Sequence, residues 1–256
     1  MNIVESIILG IIQGLTEFLP VSSSGHLVLV QHILGVEIEG VLLEIILHLG
    51  TLLAILIYYR LEIIDLWLGA FYGDMKKRKY LLYLFISILP IGFIGVFCRN
   101  FIELFFNPLT VCVALFINGI ILASTFFITK KPAKELTLFI SLLIGLFQIF
   151  ALIPGISRSG ITISIALALG LFHKEATKFS FFLAIPGLLG AGLIEFINLD
   201  SFNNISVISL IFGFLSSALI GYIIIDLLLK LISKGKFYYF SFYSIFLSIL
   251  SYIYLV

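Results

Sequence analysis

The chain has 256 residues, of which 61% are hydrophobic and 11% are charged, and its mean hydropathy is +1.24. This composition excludes an ordinary soluble domain. The formal net charge of +1 indicates no acidic macromolecular partner, so no nucleic acid is expected. A helix needs roughly 20 apolar residues to cross a bilayer. Uniformly apolar runs favour such helices over the strands of a β-barrel, in which apolar and polar residues alternate. The sequence therefore predicts an all-α polytopic membrane protein.

Eight apolar segments follow one another along the chain, and two of them are interrupted. The first, Ile3–Val30, contains PVSSSGH at residues 20–26, and the fifth, Leu136–Phe172, contains PGISRSG at residues 154–160. Broken backbone at membrane depth is tolerated only where protein buries it or where it lines a wet cavity. Both segments are therefore predicted to be re-entrant hairpins. The other six are predicted spanning helices: Val41–Tyr59, Tyr80–Cys98, Leu109–Thr129, Phe179–Ile197, Ile205–Leu229 and Phe237–Leu255.

The two broken segments resemble copies of each other, and three predicted spanning helices follow each copy. A single membrane domain over residues 1–256 is expected, with repeat one at about 1–130 and repeat two at about 136–256. Because each repeat has an odd number of spanning helices, the second repeat is expected to be inverted relative to the first. A shift of 135 positions pairs Gly10 with Gly145, Gln13 with Gln148, Ser22 with Ser157, Ser24 with Ser159, and Gly25 with Gly160.

Lysine and arginine are concentrated in alternate connections. They cluster at 60–79, 130–134, 174–178 and 230–236, whereas the loops Gln31–Gly40, Arg99–Pro108 and Asn198–Asn204 together hold only Arg99. The positive-inside rule places the first group in the cytoplasm. The first hairpin is then inserted from outside and the second from the cytoplasm. Their tips are expected to meet near the midplane, as in membrane proteins built from inverted repeats.

The hairpin tips carry the polar residues that need an explanation. Gln13 and Glu17 share one helical face, and a carboxylate in an apolar run needs a proton, a cation or an arginine. Arg158 is the only Arg or Lys inside a hydrophobic segment, and its planar guanidinium suits phosphate oxygens. Each break leads into a new helix, where free backbone amides favour an anion. We expect a phosphate cradle that also includes Ser22, Ser24, Gly25, Ser157, Ser159, Gly160 and Thr162.

Ser23 and His26 are the candidate nucleophile and proton carrier. They lie three residues apart, so the imidazole is able to share a helical face with the hydroxyl. Structural roles are the alternative, because small residues pack membrane helices closely and histidines near helix ends often have satisfied hydrogen bonds. His48 and Glu44 lie on a predicted spanning helix. They either line the site or serve packing or a proton relay.

Three motifs resemble one known family. QGLTEFLPVSSSGHL at Gln13–Leu27, PGISRSG at Pro154–Gly160 and FFLAIPG at Phe181–Gly187 closely resemble the undecaprenyl-diphosphate phosphatases of the UppP/BacA type, the bacitracin resistance proteins. The resemblance implies removal of the terminal phosphate of undecaprenyl diphosphate, which regenerates the carrier lipid of cell-wall peptidoglycan synthesis. The catalytic residues that it implies are Glu17, Ser23, His26 and Arg158.

The same resemblance implies a divalent cation, Mg²⁺ or Ca²⁺. The family motif begins with Glu or Gln and has a second Glu four residues later. Here the first place is Gln13, so Glu17 is the sole motif carboxylate that could contact a metal, and a site with two carboxylates is disfavoured. The sequence does not place the ligands. It also leaves the oligomeric state open, including a homodimer.

Three mechanisms and one other class of function stay open. In the first mechanism, Ser23 attacks phosphorus while Glu17 or His26 takes its proton. In the second, His26 is itself the nucleophile, and in the third, water attacks with Glu17 as base.

The head group is expected to enter from the outer side of the inner (plasma) membrane. Because midplane hairpins are also transporter architecture, a flippase of a polyprenyl phosphate or a transporter of another anion is the alternative. A scaffold protein without enzymatic activity is disfavoured, because the charged side chains of Arg158 and Glu17 cost free energy inside a membrane and would then have no use.

The charge pattern makes a testable prediction about sidedness. In a variant lacking Cys98 and Cys112, a cysteine placed within 60–79 should react with a membrane-impermeant thiol reagent only from the cytoplasmic side. A cysteine placed within 31–40 should react only from outside. Labelling of intact cells and of inverted vesicles measures both. The reverse pattern would invert the predicted topology.

Overall fold

The computed structural model describes residues 2–34, 42–128, 134–197 and 206–255. Within these ranges the chain consists of α-helices joined by short connections and two 3-10 turns, Thr125–Phe127 and Ile149–Leu152. The helices are α1 (Ile3–Phe18), α2 (Ser23–Leu34), α3 (Leu42–Tyr58), α4 (Arg60–Phe71), α5 (Met75–Phe97), α6 (Arg99–Glu103), α7 (Pro108–Ser124), α8 (Leu138–Gln148), α9 (Arg158–Ala168), α10 (His173–Ile197), α11 (Val207–Ser233) and α12 (Tyr239–Leu255).

Several of these helices are long and apolar enough to cross a membrane. In the described ranges, four meet this criterion by themselves, over Met75–Phe97, Pro108–Phe127, His173–Leu193 and Val207–Ile232. Helices α3 and α4 meet it together, although a bend of 73° separates them. The apolar helix α12 is shorter, with 17 residues. Each predicted spanning helix thus corresponds to an observed helix, and the all-α polytopic membrane fold is confirmed.

The basic segment 60–79, which the sequence assigned to a connection, is mostly helical. After the bend, α4 packs back against α5. Asp74 caps α5 by accepting from the amides of Lys76 and Lys77, and Lys77 Nζ lies 2.7 Å from Asp65 Oδ1 on α4. The chain reverses at Gly73, whose φ of +100° suits glycine. Other predicted connections, namely residues 35–40, Lys130, Lys131 and Asn198–Asn204, lie outside the described residues.

Both interrupted segments fold as two helices around a break, as predicted. In the first, α1 begins at a capping box formed by Asn2 and Glu5 and ends at Phe18, two residues before Pro20. A proline lacks an amide hydrogen and restricts the residue before it, so the helix stops there. Helix α2 continues four residues beyond its predicted end at Val30. In the second segment, Pro154 stands between the 3-10 turn and α9.

Helices of one predicted repeat pack against helices of the other in a reciprocal pattern. The first hairpin arm α1 packs on α11, and the matching arm α8 packs on α5, while α3 packs on α10 and α7 packs on α12. Gly10 and Gly145 make the two arm contacts close, since an added Cβ would lie 2.5 Å from the carbonyl oxygens of Gly213 and Ser87, respectively. Each hairpin arm therefore contacts the second spanning helix of the other repeat. A two-fold symmetry relation between the two predicted repeats would produce these reciprocal contacts. The inverted orientation of the second repeat stays a prediction.

The largest apolar cluster lies beside the end of α1. Phe18 is fully buried and meets the Phe181 ring edge-on, with 5.5 Å between centroids. Tyr59 packs between Phe181 and Phe182 of α10. Since lipid tails are as apolar as these side chains, close packing rather than exclusion of water stabilises such contacts. The cluster therefore holds the end of α1, and with it residue 17, in one position.

The contact between α8 and α5 predicts a stability difference. Gly145→Ala should lower the free energy of unfolding by about 1–3 kcal/mol, because its Cβ would overlap the Ser87 backbone. Gly92→Ala on α5 is the matched control, since an added Cβ there meets nothing within 4 Å. Thermal unfolding of both variants in detergent measures the difference. Equal stability of the two would contradict this packing.

Candidate active site

The two hairpin breaks contact each other directly. The Gly155 amide donates to Ser22 Oγ at 3.0 Å, and Ser159 Oγ donates to the Leu19 carbonyl at 3.2 Å. Gly25 lies against Gly155, where an added Cβ would be 3.1 Å from the Gly155 Cα. Groups left unpaired by one break are thus satisfied by the other, as buried backbone in a membrane requires.

Asn118 of α7 joins the two breaks, and the sequence analysis missed it. Its Nδ2 donates to the Pro20 carbonyl at 2.9 Å and to Ser244 Oγ at 3.2 Å, while its Oδ1 accepts from the Ser157 amide at 3.0 Å. The side chain is fully buried. One signal was present in the sequence, because this is the sole Asn or Gln in the predicted span Leu109–Thr129.

Paired serines build both helix starts in the same way. Ser22 Oγ accepts from the Gly25 amide at 3.3 Å, and Ser157 Oγ accepts from the Gly160 amide at 3.0 Å. Each is also within 3.3 Å of a second hydroxyl, Ser24 in the first hairpin and Ser159 in the second. These residues, predicted to bind phosphate, therefore have structural roles in the hairpins. Their contact with substrate stays a prediction.

The backbone of Ser22 is held in the left-handed region, with φ at +69°. For a residue with a Cβ this conformation costs on the order of 1 kcal/mol. The hydrogen bond from Gly155 and two bonds to the Ser22 carbonyl, from the His26 amide at 3.2 Å and the His26 Nδ1 at 2.7 Å, hold it in place. The strained residue directly precedes Ser23, the first residue of α2, and so directs that hydroxyl.

Glu17 is the centre of a polar cluster that draws on both hairpins. Arg158 Nη2 donates to Glu17 Oε1 at 2.7 Å. Ser23 Oγ donates to Glu17 Oε2 at 2.6 Å, and Gln13 Nε2 donates to the same oxygen at 3.0 Å. The side chains of Glu17 and Arg158 are 5% and 16% exposed. Four of the predicted site residues therefore form one hydrogen-bonded unit.

A second contact fixes the other side of the guanidinium. Arg158 Nη1 donates to the Ser180 carbonyl at 3.2 Å. Thr162 Oγ1 donates to the Arg158 carbonyl at 2.8 Å and lies 2.7 Å from Ser180 Oγ. Ser180 directly precedes the FFLAIPG stretch of α10. The third motif of the sequence is thus joined to the arginine of the second.

His26 lies outside this unit. Its Nδ1 donates to the Ser22 carbonyl, and its Nε2, which is then the accepting nitrogen of a neutral ring, lies 2.7 Å from the hydroxyl of Tyr243 on α12. Both ring nitrogens are therefore engaged away from Glu17 and Ser23. The sequence offered no signal for Tyr243, because it lies 217 residues from its partner.

His48 of α3 approaches Glu17 instead. Its Nε2 is 3.7 Å from Glu17 Oε2, and its Nδ1 donates to the Glu44 carbonyl at 2.7 Å. The side chain is 26% exposed, more than that of Glu17 or Arg158. An imidazole in an apolar predicted span was the signal in the sequence. Only the packing of α3 beside α1 places it at the carboxylate.

The donors at this site do not fit a cation held by the protein. Among the described residues, no three His, Cys, Asp or Glu side chains form a group able to bind a metal. Both oxygens of Glu17 already accept hydrogen bonds, one of them from a cationic guanidinium. The cation implied by the resemblance stays a prediction.

The second hairpin lacks the equivalent of Glu17. Gln148 matches Gln13 in the repeat, but Leu152 stands four residues later. Both amide atoms of Gln148 are buried, and neither has a hydrogen-bond partner within the described part of the chain. The first hairpin therefore carries the carboxylate and the second the arginine.

Comparison with known families agrees with the three motifs. The model of the family described as "Bacitracin resistance protein BacA" matches residues 6–250. The chain belongs to this family. The match extends from α1 to α12 and includes both hairpins and His48.

Relatives from three organisms carry one name. The protein named undecaprenyl-diphosphatase in Methanobrevibacter smithii is 38% identical to this chain, over 95% of this chain and 94% of the relative. The protein of the same name in Alkaliphilus metalliredigens is 40% identical, over 95% of each chain. The Acinetobacter baumannii protein of the same name is 35% identical over 97% of this chain and 94% of its own length.

Asn118 should be required for the contact between the hairpins. Asn118→Leu should lower the free energy of unfolding by about 1–3 kcal/mol for each buried group that loses its partner. Ser124→Ala, an exposed position on the same helix, is the control and should change stability little. Thermal unfolding in detergent measures both, and a variant at position 118 as stable as wild type would contradict this role.

Proposed function

We propose that this protein hydrolyses undecaprenyl diphosphate to undecaprenyl phosphate and inorganic phosphate, and so recycles the carrier lipid of cell-wall synthesis. The observation that carries the proposal is the unit in which Ser23 Oγ donates to one oxygen of Glu17 at 2.6 Å and Arg158 Nη2 donates to the other at 2.7 Å. Family membership and the name of the relatives support the same substrate.

Arg158 and two helix starts supply the positive potential that a diphosphate needs. α2 begins at Ser23 and α9 at Arg158, and the N-terminus of a helix favours anions. In the free protein Glu17 neutralises the guanidinium. A diphosphate competes for the same donors, because the planar guanidinium binds phosphate oxygens as well as a carboxylate.

Ser23 is the nucleophile in this proposal. Its Oγ attacks the terminal phosphorus, the bond from that phosphorus to the bridging oxygen breaks, and undecaprenyl phosphate leaves with the electron pair. Glu17 Oε2 takes the hydroxyl proton along the existing 2.6 Å hydrogen bond. Arg158 stabilises the charge of the transferring phosphoryl group, which is the main requirement of phosphoryl transfer.

Water then hydrolyses the phosphoserine. Glu17 has by then released the Ser23 proton to solvent. The water oxygen bonds to phosphorus, the Ser23 Oγ–P bond breaks, one water proton returns to Oγ by way of Glu17 and the other leaves with the phosphate, so the enzyme is restored. His26 is engaged with Tyr243, which favours Ser23 over His26 as nucleophile. His26 then shapes the hairpin, through its bond to the Ser22 carbonyl, rather than attacking phosphorus.

The proposal places the enzyme in the inner (plasma) membrane with the site open to the outside. Its support is the charge pattern, in which basic connections alternate with connections that hold only Arg99. The isoprenyl tail stays between helices in the lipid while the diphosphate reaches the hairpin tips. Transport of a polyprenyl phosphate or of another anion is the alternative, and phosphate release in detergent separates the two because no membrane is crossed there.

Purified wild-type protein should release phosphate from undecaprenyl diphosphate in detergent. Arg158→Ala should lower kcat about 10²–10³-fold, since a charge-stabilising donor is lost. Ser23→Ala and Glu17→Gln should lower it at least about 10²-fold. Acid quenching followed by mass spectrometry should detect phosphate on Ser23, because phosphoserine survives acid and phosphohistidine does not.

Controls separate chemistry from folding. Arg99→Ala, at a partly exposed arginine paired with Glu103, should keep wild-type activity. Removing one partner of a buried ion pair costs about 3–5 kcal/mol, so each variant is compared at a temperature where thermal unfolding shows it to be folded. Wild-type activity in Arg158→Ala would overturn the role of the arginine. Transport without any phosphate release would favour the alternative.

A further inference from the structure

We propose that His48 is the base that finally receives the Ser23 proton from Glu17 during the proposed phosphatase reaction. This inference rests on the proposed function. Its starting point is the contact of 3.7 Å between His48 Nε2 and Glu17 Oε2, the same oxygen that accepts the Ser23 hydroxyl proton at 2.6 Å. The three side chains come from α1, α2 and α3 and form a line from hydroxyl to imidazole.

Glu17 by itself is poorly suited to retain that proton. Arg158 bonds its Oε1 at 2.7 Å, and Gln13 donates to its Oε2 at 3.0 Å. Both contacts favour the charged carboxylate over the protonated acid. A proton taken from Ser23 therefore needs a second acceptor close to Oε2, and His48 is placed there.

The surroundings of His48 match the charged form of the ring. Its Nδ1 already donates to the Glu44 carbonyl at 2.7 Å, which leaves a lone pair on Nε2. A lone pair facing a carboxylate oxygen makes no hydrogen bond, whereas an added proton on Nε2 would be shared with Glu17. Both N–H groups of the imidazolium thus have acceptors in place before the reaction, which is the arrangement that lowers the cost of forming the charge.

The other charged groups near α3 lie on α3 itself and on the helices α9 and α11. On its own helix, one turn from His48, Glu44 accepts from Gln31 Nε2 at 3.2 Å, and its carboxylate favours a cation nearby. From α9, Arg158 pairs with Glu17, the carboxylate that His48 faces. At the far end of α3, Asp226 of α11 pairs with Lys230 and contacts Tyr58. His48 is also the most exposed of the three charged or titratable groups at the site, so its proton has a route to water.

The proposed step conserves atoms and charge. As Ser23 Oγ bonds to phosphorus and undecaprenyl phosphate leaves, the hydroxyl proton passes to Glu17 Oε2 and from there to His48 Nε2. His48 then releases it to water before the next turnover. One proton leaves for each phosphoserine formed, and the phosphoserine is hydrolysed as described above.

The decisive variants are His48→Gln and His48→Ala. A glutamine keeps a polar side chain but accepts no proton, so kcat for phosphate release from undecaprenyl diphosphate should fall about 100-fold. The wild-type rate should fall as the pH is lowered, because a protonated imidazole accepts no proton. His48→Gln should lose this decline. Added imidazole should restore activity to His48→Ala, whose site is partly open at this position.

The matched control is His32→Gln, an exposed histidine near the end of α2, which should keep the wild-type rate and pH profile. The imidazole arm compares one variant with itself, so a folding defect does not mimic rescue. Wild-type kcat and pH dependence in His48→Gln, or no rescue of folded His48→Ala, would overturn the relay while leaving the phosphatase proposal intact. A wild-type protein that releases no phosphate would overturn both.

Discussion

The ion pair between Glu17 and Arg158 is the contact on which the arrangement of the molecule depends. Its two partners lie 141 residues apart, on different hairpins, and the distance between their atoms is 2.7 Å. Neither charge is tolerable alone at membrane depth, so each hairpin needs the other in order to be stable there. The same pairing holds the arginine proposed to bind phosphate and a carboxylate beside the Ser23 hydroxyl. Stability and proposed chemistry therefore share one contact, and substrate must compete with a bond that the fold itself requires.

Close approach of the hairpins explains the small and hydroxylated residues around this pair. Gly25 allows the backbones to touch, and Ser22 and Ser157 satisfy amides at the two helix starts. These are the features that the repeat shares between its halves. The two hairpins differ where Glu17 corresponds to Leu152 and Ser23 corresponds to Arg158. These positions include the side chains that are able to take part in a reaction. The two hairpins thus share a common scaffold, and the few side chains that differ give it a hydroxyl and a carboxylate on one side and a cation on the other.

The sequence was informative where physical constraints are local. Proline, glycine and serine in an apolar run predicted both breaks, and charges that are costly in lipid singled out Glu17 and Arg158. The same local reasoning was less accurate for segment 60–79, where a helix bends by 73° and continues along the chain instead of ending in a loop. His26 shows a further limit. Its spacing from Ser23 suggested a shared role, yet its nitrogens bond Ser22 and Tyr243, and the second partner lies on α12, 217 residues away.

By itself the sequence determined the all-α membrane fold and the two broken segments, and it singled out one carboxylate and one arginine within apolar segments. Each of these follows from the high cost of unpaired polar groups in an apolar solvent, which acts on every segment separately. Only the tertiary structure decided that Asn118 joins the breaks, that Ser180 holds the guanidinium and that His48 faces Glu17. These residues lie on α7, α10 and α3, and their contacts depend on how helices distant in sequence cross, which no local pattern records.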